Sequence, residues 1–159
     1  RSQPKCDICP LAKYCKANIL HLQKEYPGKK PAKTQPVRKI ILLLIHNSDG
    51  KILLEKRPST GIWGGLWSLP EFDDADAALD WCISHNIAII SQQLGAVQRH
   101  TFSHYHLDYK PLLIETTAPG HYVMEADKNA WYSSQQINQL GLATPIKTLL
   151  KHHFKGTEQ

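Results

Sequence analysis

Apolar positions along the chain form short runs in some places and follow helical spacing in others. The longest aliphatic run, at residues 40–45, has the length of a buried strand and lies within a predicted strand over residues 38–46. Asp49-Gly50 follows as a strong hairpin signal, after which the chain returns as a strand over residues 51–57. No run reaches the ~18 apolar residues that a membrane-spanning helix requires.

Further strands are predicted in the second half of the chain. Residues 95–102 and 105–115 follow strand patterns, and residues 129–132 form a short aromatic edge strand. Between the two groups of strands, residues 61–72 combine three glycines with two tryptophans. That combination indicates close backbone packing beneath large rings, followed by a short strand.

Two helices accompany these strands. One begins at Asp73 or Asp74, whose carboxylate can cap it, and ends near residue 85. The other begins at Thr144-Pro145, with proline at the first helical position. Five or six strands with two helices predict a mixed α+β class, in which a mixed sheet forms a sandwich with helices.

The N-terminal quarter differs from the rest in composition. Apolar residues recur at helical spacing over residues 16–26, which predicts a helix. Prolines and lysines with almost no apolar residue follow, which predicts an extended linker at residues 27–37. We therefore expect an N-terminal segment at residues 1–26 and one folded domain at residues 38–155.

Positive charge is concentrated in the same quarter. The formal net charge is +5, yet residues 1–39 hold ten Lys and Arg against two acidic residues, and residues 40–159 hold nine against twelve. A basic arm on a near-neutral body suits the phosphate backbone of a nucleic acid. A solvated basic tail without a partner is the alternative.

Three of the four cysteines, Cys6, Cys9 and Cys15, lie within ten residues of each other. Clustered thiols without a secretory signal favour a metal site over disulfides, because thiolates at this spacing can converge on one soft metal centre. Zinc and iron–sulfur clusters each take four ligands, so we expect a fourth ligand upstream of Arg1. Cys82 lies in the apolar stripe of a predicted helix, and we interpret it as a buried thiol.

Residues 99–106 carry the most distinctive chemistry of the chain. An arginine, a phenylalanine, a serine and several histidines stand together beside a strand pattern. A flat ring such as Phe102, which can wedge or stack, beside a small donor and acceptor such as Ser103, is suited to contacting a nucleobase. The alternative is a half-exposed hairpin whose Phe102 covers the core.

Several of these stretches resemble one family. The spacing Cys-x2-Cys-x5-Cys is similar to the last three ligands of the iron–sulfur loop in endonuclease-III-type DNA glycosylases. Residues 26–31 resemble the interdomain connector of the adenine DNA glycosylases, the MutY family. Residues 61–67 and 99–104 resemble the C-terminal domain of that family, so the resemblance covers nearly the whole chain.

The resemblance implies a Nudix-like α/β/α sandwich with a mixed sheet from about residue 37 onward. It implies a lesion-recognition domain that reads 8-oxoguanine opposite adenine in base excision repair, with Phe102, Ser103 and His104 at the oxidised base. The partners would be double-stranded DNA with that mispair and an N-terminal catalytic domain of the same protein, in the bacterial cytoplasm at the nucleoid. The parent protein would hold a 4Fe-4S cluster, which we expect not to assemble on the three cysteines of this chain.

The chemistry of the lesion agrees with that assignment. Oxidation of guanine at C8 places a hydrogen on N7 and a carbonyl at C8, so an edge that accepted a hydrogen bond now donates one. Ser103 can accept from N7–H because a hydroxyl serves either polarity, while backbone N–H groups donate to the C8 oxygen. Phe102 can wedge beside the base, and Arg99, Lys29 and Lys30 can contact phosphates.

Three other interpretations are open. A Nudix hydrolase would share the fold but needs several glutamates on one helix to hold Mg²⁺, whereas the helix after residue 73 has aspartates bunched at its N-terminus as caps. A protein-interaction module could use the basic linker to dock repair partners. A metal site could form at His104, His106 and Asp108, since alternate strand residues share a face.

Overall fold

The computed structural model describes residues 4–26, 34–117 and 128–157. The chain divides into two units, Arg1–Thr34 and Gln35–Gln159. Among the described helices, none combines the length and the apolar character that crossing a membrane demands.

The first unit is a short helical segment that carries the three clustered cysteines. A 3-10 turn spans Cys6–Ile8, and helix α1 spans Lys16–Ile19. The helix stops there because His21 adopts a left-handed backbone with a φ of 56°, while the Leu22 N–H donates to the Ala17 carbonyl at 2.8 Å. The prediction of a longer helix is therefore wrong, because this C-terminal cap overrides the helical spacing of the apolar residues beyond it.

The second unit is a mixed sheet with helices packed on both faces. Its eight described strands are β1 (Val37–Asn47), β2 (Ile52–Lys56), β3 (Trp67–Ser68), β4 (Glu71–Phe72), β5 (Ile89–Leu94), β6 (Gln98–Thr101), β7 (His106–Thr116) and β8 (Asn129–Tyr132). Its described helices are α2 (Ala75–Ser84), α3 (Ser134–Ile137) and α4 (Thr144–Thr157). This content confirms the predicted mixed α+β class.

The centre of the sheet is the parallel pair of β1 and β7. Their register runs from Val37 opposite His106 to Asn47 opposite Thr116. The other pairs are antiparallel: β1 with β2 and β4, β2 with β3 and β8, and β7 with β5 and β6. The sheet is therefore mixed, as predicted.

The two faces of β1 contribute to two separate apolar clusters. Leu42 and Leu44 pack in the cluster that includes α3 and α4, whereas Leu43 and Ile45 pack in the cluster that includes α2. Neighbouring strand residues point to opposite faces, so a strand covered on both sides needs an unbroken apolar run. Helices on both faces confirm the α/β/α sandwich.

Helix α2 uses its acidic start as a cap and its apolar side for the core. The Asp74 carboxylate accepts a hydrogen bond from the Ala77 N–H at 2.8 Å. Cys82 is fully buried, and burial raises the pKa of its thiol to about 11. The interpretation of Cys82 as a small buried thiol is confirmed.

Candidate nucleic-acid interface

Strands β6 and β7 form a tight hairpin that carries the predicted site. The strands pair in antiparallel register, and the Phe102 N–H donates to the Tyr105 carbonyl at 2.9 Å. Ser103 and His104 therefore form a two-residue tip, and both are exposed. The structure thus brings Phe102, Ser103 and His104 together at one end of the hairpin.

Five rings lie around this tip, and we refer to Trp63, His100, Phe102, His104 and Tyr105 as the aromatic cluster. The Phe102 ring stacks on Tyr105, with centroids 4.6 Å apart and planes at 16°, and meets His100 edge-on at 4.7 Å. Trp63 lies 5.6 Å from Phe102. Phe102 is half-buried and packs against the core cluster on the α4 side. The ring therefore supports the tip and also keeps part of its surface exposed.

The backbone of the tip is anchored by the residues that precede β1. The Gln35 side-chain amide donates to the Ser103 carbonyl at 3.0 Å, and the His106 N–H donates to the Pro36 carbonyl at 2.9 Å. The Ser103 hydroxyl lies 3.2 Å from His104 Nδ1, which is a long contact between two exposed groups. A ligand can therefore replace the partner of this hydroxyl at low cost.

Arg99 lies in β6 and forms an ion pair with Asp108 of β7. Its Nε donates to Asp108 Oδ1 at 2.6 Å and its Nη2 donates to Asp108 Oδ2 at 2.8 Å. The hydrogen bonds from Arg99 hold the pKa of Asp108 below its ordinary value. The Arg99 side chain is still 52% exposed, so a phosphate at this position would share the guanidinium with Asp108. The other two predicted phosphate ligands, Lys29 and Lys30, lie outside the described residues.

The candidate metal ligands on the hairpin do not converge. Asp108 is bound to Arg99, and His106 Nδ1 lies 2.9 Å from the Thr101 hydroxyl. Across the part of the chain that the structure describes, no group of three or more His, Cys, Asp or Glu side chains could hold a metal ion.

The three cysteines of the first unit also do not converge as ligands of an iron–sulfur cluster. Cys6, Cys9 and Cys15 are free thiols, of which Cys9 is exposed and the other two are half-buried. They do not form a group of metal ligands within residues 4–26. In this geometry the three thiols do not fit a shared cluster.

Trp63 lies beside the tip, and Arg57 contacts the loop that carries it; the sequence analysis assigned neither residue to the site. Trp63 belongs to the aromatic cluster and has a left-handed backbone with a φ of 57°. Arg57 Nε donates to the Ile62 carbonyl at 3.1 Å, and the same guanidinium forms an ion pair with Glu71. Burial raises the pKa of the Glu55 carboxyl, and the charge of Arg57 opposes that rise. The glycines that follow Trp63 were the available sequence signal for this tight loop.

The fold and its apolar sheet agree with a known family. The model of the NUDIX domain family matches residues 41–152. This match spans more than half of the chain, and the chain belongs to the NUDIX domain family.

Curated proteins similar to this chain are adenine DNA glycosylases. Over 154 residues the chain is 32% identical to the adenine DNA glycosylase of Buchnera aphidicola subsp. Acyrthosiphon pisum, which covers 97% of this chain and 44% of that protein. The chain spans less than half the length of the curated relatives it matches. The resemblance to adenine DNA glycosylases, predicted from short motifs, is thereby confirmed.

Solved structures share the fold. The C-terminal domain of mouse MUTYH, seen in its complex with human PCNA, superposes with a TM-score of 0.61 at 16% identity, covering 76% of this chain and 90% of that chain. A MutT NUDIX hydrolase from Burkholderia pseudomallei superposes with a TM-score of 0.52 at 22% identity, covering 74% and 98%. These likenesses confirm the Nudix-like fold.

Proposed function

We propose that this chain is the lesion-recognition part of an adenine DNA glycosylase and that the β6–β7 hairpin reads 8-oxoguanine opposite adenine. The observation that carries the proposal is the tip itself, where the exposed Ser103 hydroxyl directly follows the half-buried Phe102 ring in the chain. The similarity to adenine DNA glycosylases over 97% of the chain supports it.

The reading step is a change of hydrogen-bond polarity at N7 of the base. Ser103 accepts a hydrogen bond from N7–H of the lesion, which normal guanine does not offer, and backbone N–H groups of the tip donate to the C8 oxygen. Phe102 presses against the base step from a position fixed by Tyr105 and His100. His104 contacts the same nucleotide from the other residue of the tip.

The phosphate contacts position the duplex without reading its sequence. Arg99 is the described candidate, and Lys29 and Lys30 are the candidates in the linker. Arg99 already neutralises Asp108, so we expect it to add less affinity than a free guanidinium would.

The parent protein supplies the rest of the activity. We expect adenine excision and a complete 4Fe-4S cluster to require an N-terminal catalytic domain, with which this chain would be partnered on DNA at the bacterial nucleoid in the cytoplasm. The isolated chain should release no adenine from a lesion duplex. The two carboxylates of β7 do not form the pair that general acid catalysis with charge stabilisation would use, because Asp108 is paired with Arg99 and Glu115 accepts a hydrogen bond from Ser91.

A protein-docking role is the second candidate. It is favoured by the solved complex between the C-terminal domain of mouse MUTYH and human PCNA, a domain of the same fold. Salt dependence separates the two roles, because affinity for DNA that depends on phosphate contacts falls steeply with salt. Hydrolysis of nucleotides is not proposed, because α2 contains no glutamate and Asp74 at its start serves as the N-cap.

The test is a pair of dissociation constants for the 159-residue chain, one for an 8-oxoguanine:adenine duplex and one for a guanine:adenine duplex. Ser103→Ala should reduce the preference for the lesion by at most about tenfold, since one net hydrogen bond is lost. Phe102→Ala should weaken binding to both duplexes, because the ring does not sense the C8 oxygen.

Ser84→Ala is the matched control, since Ser84 is an exposed serine on α2. It should change neither constant. If Ser103→Ala lowers both affinities equally, or neither, Ser103 does not read the lesion.

A further inference from the structure

Trp63 has an unusual backbone for a large residue. Its φ of 57° lies in the left-handed region, which non-glycine residues seldom adopt. Such a conformation persists only where the surrounding structure enforces it, and it is often found at binding sites. The next residue shows how tight the loop is, because a Cβ on Gly64 would lie 2.5 Å from the Ser59 carbonyl oxygen.

The loop that carries Trp63 is bound by Arg57, which is itself ion-paired with Glu71. The Arg57 guanidinium donates through Nε to the Ile62 carbonyl, the peptide that leads into Trp63, and it is paired with Glu71. Glu71 is also 3.4 Å from Arg38, so its carboxylate is bound by two guanidinium groups. The Arg57 side chain is 21% exposed and the Glu71 side chain 13%, so solvent competes weakly for this arrangement.

The Trp63 ring lies against the rings that support the tip. Its centroid is 5.6 Å from that of Phe102, with the planes at 48°, and 6.1 Å from that of His100. Phe102 is therefore confined by Trp63, His100 and Tyr105. Phe102 directly precedes Ser103, so the orientation of this ring affects where the Ser103 hydroxyl lies.

We propose that Trp63 is a specificity-determining residue of the lesion-reading surface and that Arg57 is the positioning residue that holds it there. This inference rests on the proposed function of the β6–β7 hairpin. A hydrogen bond that distinguishes N7–H from N7 requires its acceptor to be placed closely. Without the Trp63 ring, Phe102 has more freedom and the Ser103 hydroxyl samples positions that do not meet N7–H.

The experiment uses the 159-residue chain with the same two duplexes. Trp63→Asn removes the ring and supplies a residue that tolerates a left-handed backbone, so the loop keeps its path. We expect the ratio of the two dissociation constants to fall about three- to tenfold, which is the range of one aromatic contact. Trp63→Phe should retain most of the ratio, because it keeps a ring at the same place.

The ratio also distinguishes positioning from loss of folding. Partial unfolding removes the same fraction of protein from both titrations, so it weakens both affinities and leaves their ratio unchanged. Trp81→Phe is the control, since Trp81 lies on α2 in the other core cluster. Arg57→Lys keeps a cation beside Glu71 and loses the Nε donor, so its ratio should fall in the same direction as that of Trp63→Asn.

The outcomes separate this proposal from the function on which it rests. If Ser103→Ala lowers the ratio and Trp63→Asn does not, Trp63 has no role in specificity and this inference is overturned while the proposed function stands. If the unchanged chain binds both duplexes equally, the proposed function is overturned and this inference with it. A fall in the ratio for Trp63→Asn and Arg57→Lys, restored in Trp63→Phe, supports both.

Discussion

Two tight hairpin turns within the described part of the sheet are held by different means. The turn between β1 and β2 depends on its own residues. Asn47 is fully buried, and its side-chain oxygen accepts from the Asp49 N–H at 3.1 Å and the Lys51 N–H at 2.8 Å. Gly50 supplies the left-handed backbone with a φ of 73°.

The turn between β6 and β7 depends on the two rings that flank its tip and on a residue that is distant in the chain. It contains no glycine, asparagine or aspartate, and its tip residues do not adopt the positive φ that two-residue hairpins favour. It is held instead by stacking of Tyr105 on Phe102 and by the amide of Gln35. Local sequence and local structure disagree here, and such disagreement is expected at functional sites.

The largest effect should come from removing the ring that holds the second turn. Tyr105→Ala deletes a buried aromatic side chain and should lower the free energy of unfolding by about 3 kcal/mol, as for other large-to-small core substitutions. Denaturant unfolding measures this loss, and duplex binding should lose its preference for the lesion. A loss below about 1 kcal/mol would mean that the tip is not held by its rings.

A smaller effect should come from the first turn, without any change in recognition. Asn47→Ala leaves the Asp49 and Lys51 N–H groups without their acceptor and should lower the free energy of unfolding by about 2 kcal/mol. The neighbouring Asp49→Ala is the control, since its side chain is exposed and its backbone N–H is kept. A change in the ratio of dissociation constants for Asn47→Ala would show that the two turns are coupled.

The smallest effect on stability, and the sharpest on function, should come from exchanging the chemistry of the turns. Replacing Ser103 with Asn and His104 with Gly introduces the pair that two-residue hairpins favour. The free energy of unfolding should rise by up to about 1 kcal/mol, as for other turn optimisations, while the preference for the lesion is lost. A variant that is less stable would contradict the view that Ser103 and His104 are poor turn residues.

Elements with a strong local pattern could be predicted from the sequence. The apolar run of β1, the Asp74 cap of α2 and the proline at the start of α4 each determine an element locally. Strand β5 (Ile89–Leu94) was missed because all of its residues are exposed and half of them are polar, so it depends on pairing with β7. Helix α3 was missed although Ser133 and Gln136 form a capping box, a signal that the sequence contains.

The candidate site could be predicted only where its residues are close together in the chain. Phe102, Ser103 and His104 are adjacent in the chain, so their residue types alone indicated a site. The contact between Trp63 and Phe102 joins residues about forty positions apart, and no local pattern reports such a contact. The ion pair between Arg99 and Asp108 depends on the register between β6 and β7, which the sequence pattern did not specify.

The parallel pairing of β1 and β7 has a consequence for how the chain folds. Each residue of β1 meets a partner 69 positions later, as Val37 does with His106. Closing so long a loop lowers the entropy of the chain before the strand contacts can stabilise it. Folding rates fall as such distant contacts increase. On a ribosome, the edge of β1 that pairs with β7 stays unpaired until the chain has emerged beyond Thr116. Newly made molecules are therefore exposed to aggregation through their central strand during this interval.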